Sequence, residues 1–321
     1  MDKKDLRIVF LGTPDFAVES LDRLVKGGYN IAGVVTMPDK IAGRGHKLIQ
    51  SPVKQYAVEH GLFLMQPEKL KDPAFVEQLQ SLHADLFIVI AFRMLPEIVW
   101  SMPPLGTFNL HASLLPRYRG AAPINRAVMN GDSVTGVTTF MLKHEIDTGD
   151  ILQQCAIEIG PDENVGSVHD RLMTLGADLT VETVDRIISG TLTPIPQDSL
   201  AKDIAPTAAP KIFAEDLVID WNRPACEIHN HIRGLSPYPA ARSGISLDGK
   251  EPEQIKILSV RPAETCTSLP PGTVIVDGAQ LFAADGSGHL LEILEVHPAG
   301  KKRISAADYL RGARFSEARF V

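Results

Sequence analysis

Cysteine is scarce in this chain of 321 residues: only Cys155, Cys226 and Cys266 occur. They lie too far apart for a zinc ribbon, a redox pair or a secreted disulfide framework, so a reducing, cytoplasmic setting is expected. Long apolar runs are missing as well. The longest, Leu86 to Phe92, falls far short of a membrane span, and the opening Met1-Asp2-Lys3-Lys4-Asp5-Leu6 shows no apolar segment followed by small cleavage residues, so neither membrane nor signal peptide is expected. There is no basic excess: 32 Lys plus Arg face 39 Asp plus Glu, a net charge of −7, which argues at first against a polynucleotide partner. A dinucleotide fingerprint is also lacking, because Leu11-Gly12-Thr13-Pro14-Asp15-Phe16 has one glycine where three are needed. What is present, 44% hydrophobic and 22% charged residues, is the composition of a globular protein, long enough for two cores.

The first part of the chain alternates strand and helix signals. Arg7 to Leu11 reads as a buried strand, and Gly12-Thr13-Pro14 as a turn with Thr13 as N-cap. Ala17, Leu21, Leu24 and Val25 make the inner face of a helix stopped by Gly27-Gly28, and Ile31 to Val35 returns as a strand. Ser51-Pro52 and Asp72-Pro73 open further helices, the second leading to the apolar strand Leu86 to Ile90. A strand at Thr107 to His111, a helix near Pro123 to Met129, strands at Val134 to Met141 and Ile151 to Ile159, and a long helix from Val165 to Ile188 follow. Continuous apolar strands bounded by helices predict an α/β domain with a parallel sheet over residues 1–190. Pro194, Pro196, Pro206 and Pro210 break any period and predict a linker over 191–210. Beyond it come a short helix at Glu227 to Arg233 and closely spaced short strands at Val218 to Trp221, Ile255 to Val260, Thr273 to Val276, Leu281 to Ala284 and Leu290 to Val296. They predict a small β-barrel over 211–321.

The chemistry gathers in the segment Phe108-Asn109-Leu110-His111. Alternate strand residues share a face, so Asn109 and His111 point one way while Phe108 and Leu110 point into the opposite layer. An amide and an imidazole converging on one point suit a carbonyl oxygen that gains charge during attack. A lone histidine is more often a core residue satisfied by a main-chain carbonyl. With Asn109 beside it and the Pro116-Arg117-Tyr118-Arg119-Gly120 loop just after, a functional role is favoured. A third candidate is Asp147, in the polar loop Lys143 to Asp150, placed to orient an imidazole or relay a proton through water. For the neighbouring Asp150 an Asx-turn role is equally plain.

FLGTPDFA at 10–17, TMPDKIAGRGHKLIQSPVK at 36–54, NLHASLLPRYRGAAPINRAV at 109–128, TGVTTFMLKHEIDTGDI at 135–151, IDWNRPACEIHNHIRGLSPYPAA at 219–241 and HPAGKKRISAADYL at 297–310 together resemble the methionyl-tRNA formyltransferases. The Asn-x-His and Asp-x-Gly-Asp motifs alone mark the wider family that uses 10-formyltetrahydrofolate; the PDKIAGRG loop and the carboxy-terminal part narrow the match. The resemblance implies a Rossmann-like formyltransferase domain followed by an OB-like barrel that binds tRNA. It makes Asn109, His111 and Asp147 catalytic and Ser113, Leu114, Leu115 and Pro116 the folate-binding segment. The pterin is then expected against the loop after the Leu86 to Ile90 strand and the loop around Asp147.

The implied reaction moves a formyl group from 10-formyltetrahydrofolate to the α-amino group of methionine on initiator tRNA, with Asn109 and protonated His111 bonding the oxyanion and Asp147 supporting the imidazolium. It requires no metal and no covalent enzyme intermediate, and no obligate protein partner is evident. By resemblance the loop over 36–54 enters the acceptor arm, with Arg44 and Lys47 as contacts, while Lys301, Lys302 and Arg303 contact tRNA from the second domain. Relatives commonly carry Arg-Pro where this chain has Lys40-Ile41, often a lysine at His46, and Tyr-Gly in place of Phe92-Arg93. Competing enzyme readings are a formyltransferase for an amino sugar nucleotide or glycinamide ribonucleotide, and a 10-formyltetrahydrofolate hydrolase. A tRNA-binding module without catalysis would have no reason to keep Asn109, His111 and Asp147 together.

Charge segregation reconciles an acidic chain with tRNA. Residues 145–186 hold ten acidic and two basic side chains. The stretches 36–54 and 117–126 each carry +3 and 300–321 carries +4, so phosphate binding that weakens with salt is expected.

Overall fold

The computed structural model describes residues 2–42, 47–200 and 204–321. Strand β1 (Arg7–Gly12) holds Ile8, Val9, Phe10 and Leu11 at 0% exposure. Such a run, apolar on both faces, belongs in the middle of a covered parallel sheet. It pairs in parallel with β2 (Asn30–Val35) on one side and β6 (Leu86–Ile90) on the other. The sheet extends to β5 (Leu64–Met65) beyond β2, and to β7 (Thr107–His111), β9 (Val134–Met141) and β10 (Ile151–Glu158) beyond β6. Its order is β10-β9-β7-β6-β1-β2-β5. The pairings out to β7 are parallel, but β9 runs antiparallel to β7, with His111 opposite Thr138 and Asn109 opposite Phe140. The parallel core expected from the apolar pattern is present, and an antiparallel strand borders it at this edge. A buried strand looks the same in sequence whichever way it runs.

Between β2 and β5 a small antiparallel pair, β3 (Lys40–Ala42) with β4 (Lys47–Ile49), lies where the sequence indicated a glycine-rich loop. The strands are linked by α1 (Asp15–Lys26), α2 (Pro52–Glu59), α3 (Pro73–Gln80) and the short α4 (Glu97–Trp100). Ser51 caps α2 by accepting from Lys54 N at 3.1 Å, and Asp72 caps α3 by accepting from Ala74 N at 3.0 Å, each followed by proline in the first turn. The Thr13 cap is corrected: α1 begins after Pro14 with no side-chain cap, and Thr13 Oγ1 is buried without a hydrogen-bond partner among the described residues. After β7 come β8 (Arg119–Gly120) and α5 (Pro123–Met129). The long α6 (Val165–Ser189) is followed by α7 (Gln197–Leu200) and β11 (Ala208–Ala209), so the proline-rich stretch read as a linker contains local structure. No helix among the described residues is long and apolar enough to cross a membrane.

The chain divides into two compact units. The first comprises Met1–Gly120, Gly136–Ile157 and Asp170–Ala208; the second comprises Ala121–Thr135, Glu158–His169 and Ala209–Val321. Helix α5 and the first residues of α6 therefore belong to the second unit, where Asn125 Nδ2 donates to Gly234 O at 2.8 Å.

The second unit is a nearly closed antiparallel barrel of β12 (Ala241–Leu247), β13 (Glu253–Cys266), β14 (Val274–Asp277), β15 (Gln280–Ala284), β16 (His289–Pro298) and β18 (Ala318–Phe320), with β17 (Ile304–Ser305) on β16. A bridge between Thr273 and Arg319 and the bond from Phe320 N to Gly272 O, 2.8 Å, draw its ends together. Helix α8 (Ala225–Leu235) turns Ile228, Ile232 and Leu235 into the barrel core, and α9 (Ala306–Gly312) adds Ala306 and Tyr309. Trp221 stacks on Phe320 with centroids 4.8 Å apart while its Nε1 donates to Ser243 Oγ at 3.0 Å. Burying an indole with its N–H satisfied is what makes so large a side chain stabilising there. The strand expected at Val218 to Trp221 reduces to a single bridge from Val218 to Arg242, because Asp220 accepts from Asn222 N at 3.1 Å and turns the chain toward α8.

Candidate active site

Strand β7 sets the site by its alternation. Phe108 and Leu110 are 0% and 4% exposed and fill one layer. There α6 comes so near that a Cβ on Gly176 would stand 2.7 Å from Leu110 Cδ2, so a larger residue there would push the leucine side chain aside. Asn109 and His111 therefore share the other face. His111 is 6% exposed, and its Nε2 lies 2.8 Å from Tyr118 O. A carbonyl can only accept, so Nε2 carries a proton and the carbonyl fixes the tautomer. Nδ1 is then the nitrogen left for chemistry, and it faces Asp147 Oδ2 at 3.9 Å. The main-chain satisfaction typical of a core histidine and the carboxylate facing of a functional one occur in the same ring.

Asp147 sits in the loop between β9 and β10 with φ +54°, a left-handed conformation uncommon outside glycine and asparagine. Its Oδ2 accepts from Gly120 N at 2.8 Å. Its own carbonyl and that of Gly149 receive the Gln197 amide, at 2.9 and 2.7 Å. Gly149 has no alternative residue: a Cβ there would lie 1.6 Å from Met141 O. Asp150 pairs with Lys143 at 2.7 Å. Asn109 Oδ1 is buried and meets no hydrogen-bond partner among the described residues. Leaving a buried amide oxygen unpaired costs about 1–3 kcal/mol, and that oxygen is available to accept from a ligand N–H.

Ser113 to Pro116 turn inward. Ser113 is 0% exposed and donates to Arg117 O at 2.7 Å, while its carbonyl accepts from Thr138 Oγ1 at 2.6 Å. Leu115 joins Phe140 and Ile151 in a small core, and Gln154 donates to Leu115 O at 2.8 Å. Pro116 is buried and Leu114 half-buried. This stretch is therefore held in place largely through its backbone carbonyls. Arg93, in the loop after β6, donates to Glu68 O at 2.7 Å and to Pro67 O, and burial lowers its pKa. It ties that loop to the one after β5.

Arg44 lies outside the described residues. Lys47 begins β4. Lys54 pairs with Asp39 at 2.5 Å, so one cation of the 36–54 stretch is engaged within the protein. The cationic stretch 117–126 is largely engaged inside the protein. Arg119 donates to Gln197 Oε1 from Nε and Nη2 at 3.1 and 2.7 Å, and Arg126 pairs with Asp216 at 3.3 Å. Lys301 and Lys302 are exposed after Pro298. Arg303 instead grips both carboxylate oxygens of Glu295, which raises its pKa. The residues that hold His111 and Asp147 in place, namely Gln197 and the main chains of Tyr118 and Gly120, escaped the sequence reading. Two act through backbone atoms, and Gln197 stands in a proline-rich stretch without period. Among the described residues, no group of three or more His, Cys, Asp or Glu side chains is gathered as metal ligands would be.

Comparison with known proteins agrees with this architecture. Residues 6–184 match the formyl transferase model and residues 211–314 the formyl transferase C-terminal domain. A methionyl-tRNA formyltransferase of Bacteroides fragilis is 54% identical over 99% of this chain and 98% of its own length. That of Phocaeicola vulgatus is 56% identical over 99% and 98%, and that of Porphyromonas gingivalis 46% identical over all of both chains. Among solved structures, an N-formyltransferase of Helicobacter canadensis in complex with folinic acid and dTDP-3-aminofucose shares the fold at TM-score 0.65 and 19% identity, covering 90% of this chain and 98% of that one. HypX of Aquifex aeolicus in complex with tetrahydrofolic acid does so at TM-score 0.62 and 18% identity, over 95% and 47%. With both family models matched in order and relatives aligned from end to end, the chain belongs to the methionyl-tRNA formyltransferase family of formyl transferases.

Proposed function

We propose that this protein transfers a formyl group from 10-formyltetrahydrofolate to the α-amino group of methionine esterified to initiator tRNA. The observation that carries the reading is the pairing, on one face of β7, of Asn109, whose Oδ1 meets no partner among the described residues, with a His111 ring whose Nδ1 faces Asp147 at 3.9 Å. The full-length relatives named methionyl-tRNA formyltransferase support the choice of acceptor.

The neutral amine attacks the formyl carbon, a C–N bond forms, and the carbonyl oxygen becomes an oxyanion. The Asn109 amide donates to that oxygen and its Oδ1 accepts an N–H of the amine, using both ends of one side chain. With Nε2–H held by Tyr118 O, Nδ1 is the nitrogen that donates to the oxyanion when His111 is protonated, and the Asp147 carboxylate stabilises that cation. As the folate C–N bond breaks, the Nδ1 proton passes to the departing folate nitrogen. The proton shed by the amine, relayed through water and Asp147, restores Nδ1. Ser113 to Pro116 form the backbone frame against which the folate rests.

In the same reading, tRNA phosphates meet Lys301 and Lys302, with Arg303 held back by Glu295. Arg44 and Lys47 enter on the sequence resemblance alone. The division into 1–190, a linker over 191–210 and 211–321 is the reading of the sequence; the two family matches cover 6–184 and 211–314, and the compact units additionally place Ala121–Thr135 and Glu158–His169 with the second. Free Cys155, Cys226 and Cys266 suit a cytoplasmic enzyme.

The test is transfer of radiolabel from 10-formyltetrahydrofolate to charged initiator tRNA, in competition with charged elongator tRNA, uncharged tRNA and an amino sugar nucleotide. Label is expected on methionine of the initiator. Label on the sugar nucleotide, or formate released without acceptor, would replace this reading.

A further inference from the structure

From the cross-bracing of the Asp147 loop we infer that Gln197 is a positioning residue for the reaction, an inference that rests on the function proposed above. The Asp147 carboxylate is located by two things: the backbone of its own loop, and the Gly120 N–H it accepts at 2.8 Å. Gln197 controls both. Its Nε2 donates to the carbonyls of Asp147 and Gly149 at 2.9 and 2.7 Å, and its Oε1 accepts from Nε and Nη2 of Arg119, the neighbour of Gly120, at 3.1 and 2.7 Å. A side-chain amide offers two hydrogens and two lone pairs, and all four are used by a group only 1% exposed.

The brace counts because of what it restrains. Asp147 holds φ +54°, a left-handed conformation that few residues other than glycine adopt and that neighbouring bonds must hold. Without the Gln197 bonds, that loop is free to relax and carry the carboxylate away from Nδ1. Gln197 is itself anchored. Ile151 and Ile195 exchange main-chain bonds of 2.8 Å in both directions just before it, and Leu200 packs on the Leu115, Phe140 and Ile151 core just after. The α7 segment is thereby part of the site although it contributes no atom to the reacting face.

Gln197→Met removes all four bonds at similar volume, and Gln197→Glu keeps the shape while setting a carboxylate against two carbonyls. Each is made in the wild-type and the Asp147→Asn background, and single-turnover formylation of charged initiator tRNA is measured, with near-UV circular dichroism to confirm the fold. A loss of ~10-fold or more is expected in the wild-type background, since a misplacement near 1 Å is worth up to ~10²-fold. Within about 2-fold no loss is expected in the Asp147→Asn background, because residues acting as a unit are non-additive. Equal losses in both backgrounds, or none in the first, would overturn the role of Gln197. Full activity of Asp147→Asn itself would instead remove Asp147 from the reaction, a failure of the proposed function separate from that of the brace.

Discussion

Asp147 Oδ2 and His111 Nδ1 stand 3.9 Å apart, too far for a direct hydrogen bond and close enough for the carboxylate to stabilise an imidazolium. Removing the charge while keeping the shape isolates that effect. Asp147→Asn is expected to lower the single-turnover rate by at least ~10²-fold, the low end for a group that assists proton transfer. Affinity for the formyl donor, followed by fluorescence quenching, should stay within about 2-fold. A parallel loss of donor affinity would show that the carboxylate acts in binding.

Arg93 makes two main-chain bonds, to Glu68 and Pro67, from the loop that follows β6. Hydrogen bonds from a charged donor contribute about 1.5–3 kcal/mol each, so Arg93→Ala should loosen the side of the site expected to meet the pterin. A rise of ~10-fold in KM for the formyl donor with kcat nearly unchanged is the expected pattern for lost binding that the ground and transition states share. A fall in kcat alone would place Arg93 elsewhere in the cycle.

The cations that remain unpaired differ from those that are merely numerous. Lys301→Ala with Lys302→Ala should weaken tRNA binding and reduce the slope of log K against log salt by about two, near 0.9 for each phosphate no longer neutralised. Arg126→Ala, whose guanidinium is engaged by Asp216, should leave the slope unchanged. Arg44→Ala is expected to impair use of initiator tRNA while donor binding stays intact. Salt-independent tRNA binding by the unaltered protein would remove the electrostatic account.

His229 and His231 of α8 give the second unit a pH dependence. Burial lowers the pKa of each below the ordinary 6.5. Arg233 adds to this at His229 against Asp162, and Arg223 and Arg126 add to it at His231 against the Leu217 carbonyl and Asp216. The unfolded chain then takes up protons that the native state refuses, so stability is full above the unfolded value and falls as pH drops below it. The melting temperature should decrease from about pH 7.5 to about pH 5.5, and the decrease should shrink in the double variant His229→Gln, His231→Gln. An unchanged pH dependence in that variant would assign it to other groups.

Much of the fold was legible because its signals are local. The helix openings at Ser51-Pro52 and Asp72-Pro73 and the β7 strand at Thr107 to His111 emerged where the sequence placed them. Strand β12 escaped because Ser243 and Gly244 break the apolar alternation of Ala241–Leu247, although its inward residues are buried. The sense of β9 was invisible for want of any local signal. In the site, alternation placed Asn109 and His111 on one face. The choice of Nδ1 over Nε2 depended on the carbonyl of Tyr118, and main-chain partners leave no trace in residue identity. Gln197 was hidden for a different reason: its four bonds connect it with residues far from it along the chain.

The central claim is that Asn109 and His111 stabilise the formyl oxygen during attack by the methionyl amine. Single-turnover formylation at saturating charged initiator tRNA, compared among the unaltered protein, Asn109→Ala and His111→Ala, tests it most directly. A fall of at least ~10²-fold in each variant is predicted, the scale for losing an oxyanion donor; near-unaltered rates in either would contradict the account.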